Sequence, residues 1–349
     1  MSDEQTMDMG EQTLDIPAMD SSAWFEFALE QGWSDGLPVV MPSADVVDAM
    51  VDASGSLIDG LPELPPSRLR GTIQSIAANA VMAGCRPIDF PVVLAGLQAV
   101  SEEQYNLHGT LATTHPCAQF MMVNGPVRKE VELNCGTNCL GQGTRANAVI
   151  GRALQLILRN VGGAIPGIMD RATQGAPAKY SYCFGEHEEE SPWEPYHVRA
   201  GYSPTDSTVT VMAAEGPHNI NDHGSNTGIG ILTTIAGVMG QPGSNNAYVK
   251  GPHFLLLGIE HAATLARDEW TIDSIREWLF DHARIPSESI SNENKEQFKE
   301  AGVETINGEY TVSTGPDMIN VAVAGGYGKH SAWVPSFGGT SVVTAKIAG

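Results

Sequence analysis

The densest chemistry in the chain lies between Pro177 and Trp193, where Lys179, Tyr180, Tyr182, Cys183, Glu186, His187, Glu188, Glu189 and Glu190 fall within seventeen residues. Charged residues make up only 17% of the chain, so this concentration of a thiol, an ammonium, an imidazole, phenols and carboxylates stands out. Three adjacent glutamates repel one another unless solvent, a cation or a metal compensates them, and a site can use that strain to shift pKa values. The bland alternative is a strand over Lys179–Phe184 that runs into a solvated acidic turn.

Other reactive types recur where elements begin or end. Cys85 sits in Ala83-Gly-Cys-Arg-Pro87, between two helical patterns, where Arg86 or a helix N-terminus would favour a thiolate nucleophile. A buried, inert thiol is the other reading. Gly141-Gln-Gly143-Thr-Arg145 opens a helix, and exposed N–H groups with Arg145 would clamp a carboxylate or phosphate. No apolar strand runs into Gly141, so a dinucleotide site is not expected and NAD is an unlikely cofactor. His218, His223 and Glu260 form a candidate set for a divalent transition metal, although their spacing matches no standard ligand pair. His261 and His330 each follow an expected strand, where open sheets present functional groups. Cys135 and Cys139 are separated by three residues, not the two that zinc and redox sites prefer.

The elements that would position these groups alternate. Helical spacing is expected over Ser21–Gln31, Ser43–Asp52, Ser75–Ala83, Phe90–Ser101, Arg145–Asn160, Gly228–Met239, Ala262–Arg267 and Ile272–Ala283. Strands are expected over Gln119–Val123, Tyr180–Phe184, Ser207–Ala213, His253–Ile259 and Ile319–Ala324, with a terminal strand after Ser336. This alternation predicts an α/β fold with a mixed or largely parallel sheet and flanking helices. The similar turns Val123-Asn-Gly-Pro126 and Ala214-Glu-Gly-Pro217 raise the possibility of an internal duplication. Residues 1–20 are expected to be a disordered acidic leader, 21–66 a helical segment and linker, and 67–349 the catalytic-type domain. Ser287–Gly308 is expected to be a surface excursion.

Several segments together resemble an uncharacterised bacterial family related to proteins that carry a UGSC-motif (seleno)cysteine domain. They include Trp33-Ser-Asp-Gly-Leu-Pro-Val-Val, Asn79-Ala-Val-Met-Ala-Gly-Cys-Arg-Pro87, Val123-Asn-Gly-Pro126, Arg145-Ala-Asn-Ala-Val-Ile-Gly-Arg-Ala153 and Lys179 through Trp193. Ser207-Thr-Val-Thr210, Glu260-His-Ala262 and Gly325–Ser331 continue the likeness, which spans roughly residues 33 to 345. The UGSC segment, or its Cys-Gly-Ser-Cys equivalent, is absent. The resemblance implies a soluble α/β protein and no established reaction.

Composition excludes several classes. The formal charge is −22, from 41 acidic and 19 basic residues, and no Lys or Arg precedes Arg68. Such a field repels nucleic acid and anionic membranes. No apolar run reaches the ~20 residues of a membrane span. Five cysteines in 349 residues are not a disulfide framework, so a cytoplasmic location is expected. The first functional expectation is an enzyme acting on a small polar, carboxylate- or amide-bearing substrate. Cys85 would be the nucleophile or a redox thiol, Lys179 and Arg145 would bind the anion, and Glu186, Glu188, His261 and His330 would be acid–base groups, with a hydrolase, lyase or thiol-dependent oxidoreductase all left open. Asn124, Tyr180 and Trp193 would line the pocket. A metal-dependent hydrolase or lyase is one alternative. A non-catalytic subunit that binds a separate redox partner protein is another, and homo-oligomerisation is possible in each case. If a single site exists, Lys179, Glu186, Glu188, His261 and His330 should converge near Cys85 and Asn124.

Overall fold

The computed structural model describes residues 19–55, 61–303 and 305–348, so most of the expected acidic leader (1–18) lies outside the described residues. The chain forms an α/β fold in four layers: helices, sheet, sheet, helices. The strands Ala118–Asn124, Thr208–Ala214 and His253–Leu257 are buried at every position, which explains their unbroken apolar character. In the first sheet, Met121, Val123, Val209 and Val211 face the helices Ile73–Ala83, Phe90–Ser101 and Arg145–Asn160. Trp24, Ala28, Val47 and Met50 join this same core, so the helices Ser21–Glu30 and Ala44–Asp52 pack as part of it. The opposite face carries Phe120, Met122, Phe184 and Met212, which pack against Phe254, Leu256, Ala322 and Val334 of the second sheet. Phe120 and Phe254 stack at the centre, with ring centroids 4.8 Å apart. The outer face of the second sheet buries Leu255, Leu257, Val321 and Val323 with residues of the helices Gly228–Met239, Ile259–Arg267 and Ile272–His282.

Both sheets are mixed, and they repeat one connectivity. In the first, the order is Val343–Lys346, Thr208–Ala214, Ala118–Asn124, Cys183–Gly185, with only the last pair parallel. In the second, the order is His218–Asn221, His330–Val334, His253–Leu257, Ile319–Val323, again with only the last pair parallel. Each half therefore runs strand, helix, parallel strand, antiparallel strand, and then gives its next strand to the edge of the other sheet. The two exchanged connections touch where Ala214 bridges Ser336 and Glu215 N donates to Pro335 O at 2.9 Å. The duplication is thus in the architecture and is not carried by the two Gly-Pro turns. Those lie at opposite ends of one antiparallel pair, in which Asn124 faces Thr208 and Ala118 faces Ala214.

Three expected elements differ. The Tyr180–Phe184 strand is only Cys183–Gly185, because Pro177–Lys179 form a 3-10 turn before it. His330 begins a strand and does not merely follow one. The excursion after Ser287 contains the helix Asn292–Glu300, anchored by buried Phe298, and part of a small three-stranded sheet. No single helix among the described residues is long and apolar enough to cross a membrane.

Candidate functional site

Along the Ala118–Asn124 strand the even positions face the other sheet, so Phe120 and Met122 are followed on that face by Asn124. The neighbouring parallel strand does the same: Phe184 is followed two residues later by Glu186, whose N–H donates to Val123 O at 3.1 Å. The apolar filling between the sheets therefore ends in polar groups at the carboxyl ends of the parallel strands. Loops from both halves meet there. His187 N donates to Val323 O at 2.7 Å, and Gly325 N donates to Cys135 O at 2.9 Å.

Two glutamates of the charge run, Glu188 and Glu189, are held by a residue that sequence reasoning missed. Arg128, on the short helix Val127–Glu130, is buried and lies 2.7 Å from Glu188 Oε2. Its two terminal nitrogens also reach Glu189, at 3.1 and 3.2 Å, and Nη1 donates to Glu186 O at 2.7 Å. Burial would raise the Glu189 carboxyl, but hydrogen bonds from Arg128 and Lys129 outweigh it and bring it down to about 2. Gly125 N donates to Glu188 Oε1 at 2.7 Å. A side chain at Gly125, where φ is 85°, would place Cβ 2.1 Å from Asp206 O, so the turn that aims this N–H requires glycine.

Glu186 is perturbed in the opposite direction from Glu189. It is 1% exposed, and burial pushes its carboxyl up to about 7, despite hydrogen bonds from Tyr196 N at 2.7 Å and Asn124 Nδ2 at 2.5 Å to Oε2. The Asn124 amide also donates to Glu188 Oε1 at 3.0 Å. Around this pair are buried polar atoms with no hydrogen-bond partner, Glu186 Oε1, Asn124 Oδ1 and Thr208 Oγ1, and beside them the buried His197 ring, which has the Pro204 backbone as a weakly aligned partner. His197 Nδ1 lies 3.9 Å from Glu188 Oε1, and burial lowers the pKa of the imidazole. Buried polar atoms are nearly always paired, so this concentration sets the cluster apart from the apolar filling around it.

The expected single site divides into separate places. Glu186, Glu188 and Asn124 come together as expected. His261 and His330 belong to a neighbouring constellation of the second half. There, His261 Nδ1 lies 2.8 Å from Ser331 Oγ, His261 Nε2 lies 3.2 Å from Asp222 O, and His330 Nε2 lies 3.2 Å from His223 Nε2. Lys179 instead pairs with Asp170 at 2.6 Å and lines a cleft with Tyr180 and Gln119. Gln119 and Asn124 are five residues apart on one strand, so that cleft opens about 16 Å from the glutamates. Lys179 is therefore not part of their site. Trp193 donates from Nε1 to Trp270 O at 3.1 Å and packs against the second core.

Cys85 and Arg145 do not take the roles expected of them. The Cys85 thiol is buried, its Sγ 3.4 Å from Val149 O. Burial drives its pKa well above the usual thiol range, and Asp89 adds to the rise, so Arg145 does not yield a thiolate. Arg145 itself grips the fully buried Asp89 through two bonds of 2.5 and 3.0 Å, which leaves its fork occupied. The metal set is not assembled either. His218 sits between Glu215 and Gln241, His223 pairs with His330, and Glu260 lies in the first turn of the Ile259–Arg267 helix. Among the described residues no three His, Cys, Asp or Glu side chains converge on a metal position.

Arg128, His197 and Thr208 were not singled out from sequence. The signal for Arg128 was indirect: a cation is one of the ways to compensate a run of three glutamates, and Arg128 follows the Asn124 turn closely. Neither a protein-family model nor a curated protein matches the chain.

Proposed function

We propose that the chain is a cytoplasmic enzyme that moves a proton to or from a small polar, carboxylate- or amide-bearing metabolite, with Glu186 as the general acid–base group. The observation that carries this reading is the set of partnerless buried atoms around Glu186. A comparison within the fold adds to it. Ala324 follows the strand Ile319–Val323 as Glu186 follows Cys183–Gly185, and its N–H donates to Leu257 O at 3.0 Å as that of Glu186 donates to Val123 O. The architecture accepts alanine at this position in one half, so it does not require a buried glutamate in the other. A buried carboxyl with an unpaired oxygen costs stability and calls for another reason to be there.

The proposed division of labour follows from the bonds. Asn124 and the Tyr196 N–H fix Glu186 Oε2 and leave Oε1 to exchange a proton. A carboxyl near pH 7 is matched to give and take protons at neutral pH. Arg128 holds Glu188 beside it as a fixed negative charge. His197 and Asn124 Oδ1 offer a donor or acceptor to the polar group of the substrate. The free cysteines suit a reducing compartment.

The test is untargeted. Wild-type protein and Glu186→Gln are incubated with a small-molecule extract in D2O, and mass spectrometry follows both conversion and deuterium uptake. The expected result is a wild-type-dependent change in at least one carboxylate or amide that is lost in Glu186→Gln. No such change, or an equal change with the folded variant, removes the proposal.

A further inference from the structure

At the opposite end of the first sheet lies a cleft of about 590 Å³, lined by Gln119, Gln155, Arg159, Asp170, Lys179 and Tyr180 among others. We propose that it binds a small organic anion, with Arg159 taking the charge and the two glutamines the adjoining polar group. Charge is the first argument. The lining carboxylates are already paired: Asp170 with Lys179 at 2.6 Å, and Asp35 with Arg152 through bonds of 2.8 and 2.7 Å. Arg159 is different. Its Nη1 reaches only neutral acceptors, the carbonyl of Gly32 and Asn160 Oδ1, and among the described residues it has no carboxylate partner. The cleft therefore presents a half-buried guanidinium with no carboxylate in hydrogen-bond contact among the described residues, although Asp35 acts on it from a distance, in a chain whose net charge is −22. A charge in that position is stabilised by an anion.

The glutamines supply the second argument. Gln155 Nε2 donates to Gln119 Oε1 at 2.7 Å, which fixes both amides. Gln119 Nε2 and Gln155 Oε1 have no partner among the described residues, so one donor and one acceptor border the cleft that Arg159 also lines. Leu111, Leu158 and Pro166 give the remaining wall an apolar character that suits a short carbon chain. A carboxylate on a small apolar body fits this lining. Bare phosphate would leave the apolar wall uncovered.

The full-length chain is titrated by calorimetry with hexanoate, its neutral analogue hexanamide, and inorganic phosphate. One hexanoate site is expected, weakened about tenfold by loss of the charge-assisted bond in Arg159→Gln and retained in Arg159→Lys. Hexanamide and phosphate should each bind more weakly than hexanoate. If Arg159→Gln does not fold, Ala176→Trp, which fills the cleft from its wall, must abolish hexanoate binding. The proposal is overturned if hexanoate does not bind wild type, if phosphate binds more tightly than hexanoate, or if folded Arg159→Gln binds like wild type. Hexanoate binding that survives Ala176→Trp also overturns it, because the ligand then sits elsewhere.

Discussion

Asn124 donates its side-chain amide to Glu186 Oε2 at 2.5 Å, and the same nitrogen lies 3.0 Å from Glu188 Oε1. One neutral donor thus bridges two carboxyl groups, one deep between the sheets and one held by Arg128. Two carboxylates so close are easiest to hold when one carries a proton, which agrees with a Glu186 carboxyl raised by burial to about 7.

Glu186 should make the protein less stable as pH rises. Its folded pKa lies above the unfolded carboxylate value, so the native state binds the extra proton between about pH 4.5 and 7. The favourable contribution is complete below that window and is lost as pH passes through about 7, a change of about 3 kcal/mol. Urea unfolding of wild type and Glu186→Gln at pH 5 and pH 8 measures this. Wild type should lose stability relative to the variant on going to pH 8.

Glu215 should act with the opposite sign. Burial would raise its carboxyl, but bonds from His115 and His218 bring it down to about 2. Its contribution is present above the unfolded value near 4.5 and is lost as pH falls toward 2. Acid-unfolding curves should show Glu215→Gln with a shallower loss of stability below pH 4.5 than wild type.

Replacing Arg128 by Met should destabilise the fold by about 3 kcal/mol or more, because Glu188 and Glu189 then lose a buried cation. Adding Glu188→Gln and Glu189→Gln should recover part of that loss in the same denaturant assay. Recovery distinguishes unpaired charge from lost packing.

Among the five free cysteines, Cys135 is the only one not buried, so iodoacetamide should label it first. Cys85 should react more slowly than free cysteine at pH 8, since burial holds its thiol protonated. Peptide mapping by mass spectrometry after timed labelling gives both rates.

The helices Phe90–Ser101, Arg145–Asn160 and Gly228–Met239 were legible to the residue because periodicity and flanking turns bound them. Glu186, Glu188 and Asn124 were legible as a group because each follows an apolar strand whose end the alternation fixes. Lys179 was misplaced because it precedes the strand that Glu186 follows, so the two lie at opposite ends whether the strand starts at Tyr180, as expected, or at Cys183, as observed after the 3-10 turn Pro177–Lys179. Arg128 sits on a four-residue helix with no periodic signal, and its partners lie some sixty residues away. The strands His218–Asn221 and His330–Val334 were obscured because their polar residues are offset by pairing with one another, including His330 with Asn221. Cys85 illustrates the ambiguity of a thiol in sequence, since burial dominates its environment and the neighbouring Arg86 turns to Glu132, 3.6 Å away.

The central claim is that Glu186 carries an exchangeable proton near neutral pH, and infrared difference spectroscopy tests it most directly. The protonated carboxyl stretch is recorded across a pH titration of wild type and Glu186→Gln, so that the difference isolates one residue. The account expects a band present at pH 5 to 6 that disappears with a midpoint near 7 and is absent in the variant. A Glu186 band that titrates near 4.5, the ordinary range for glutamate, would contradict it.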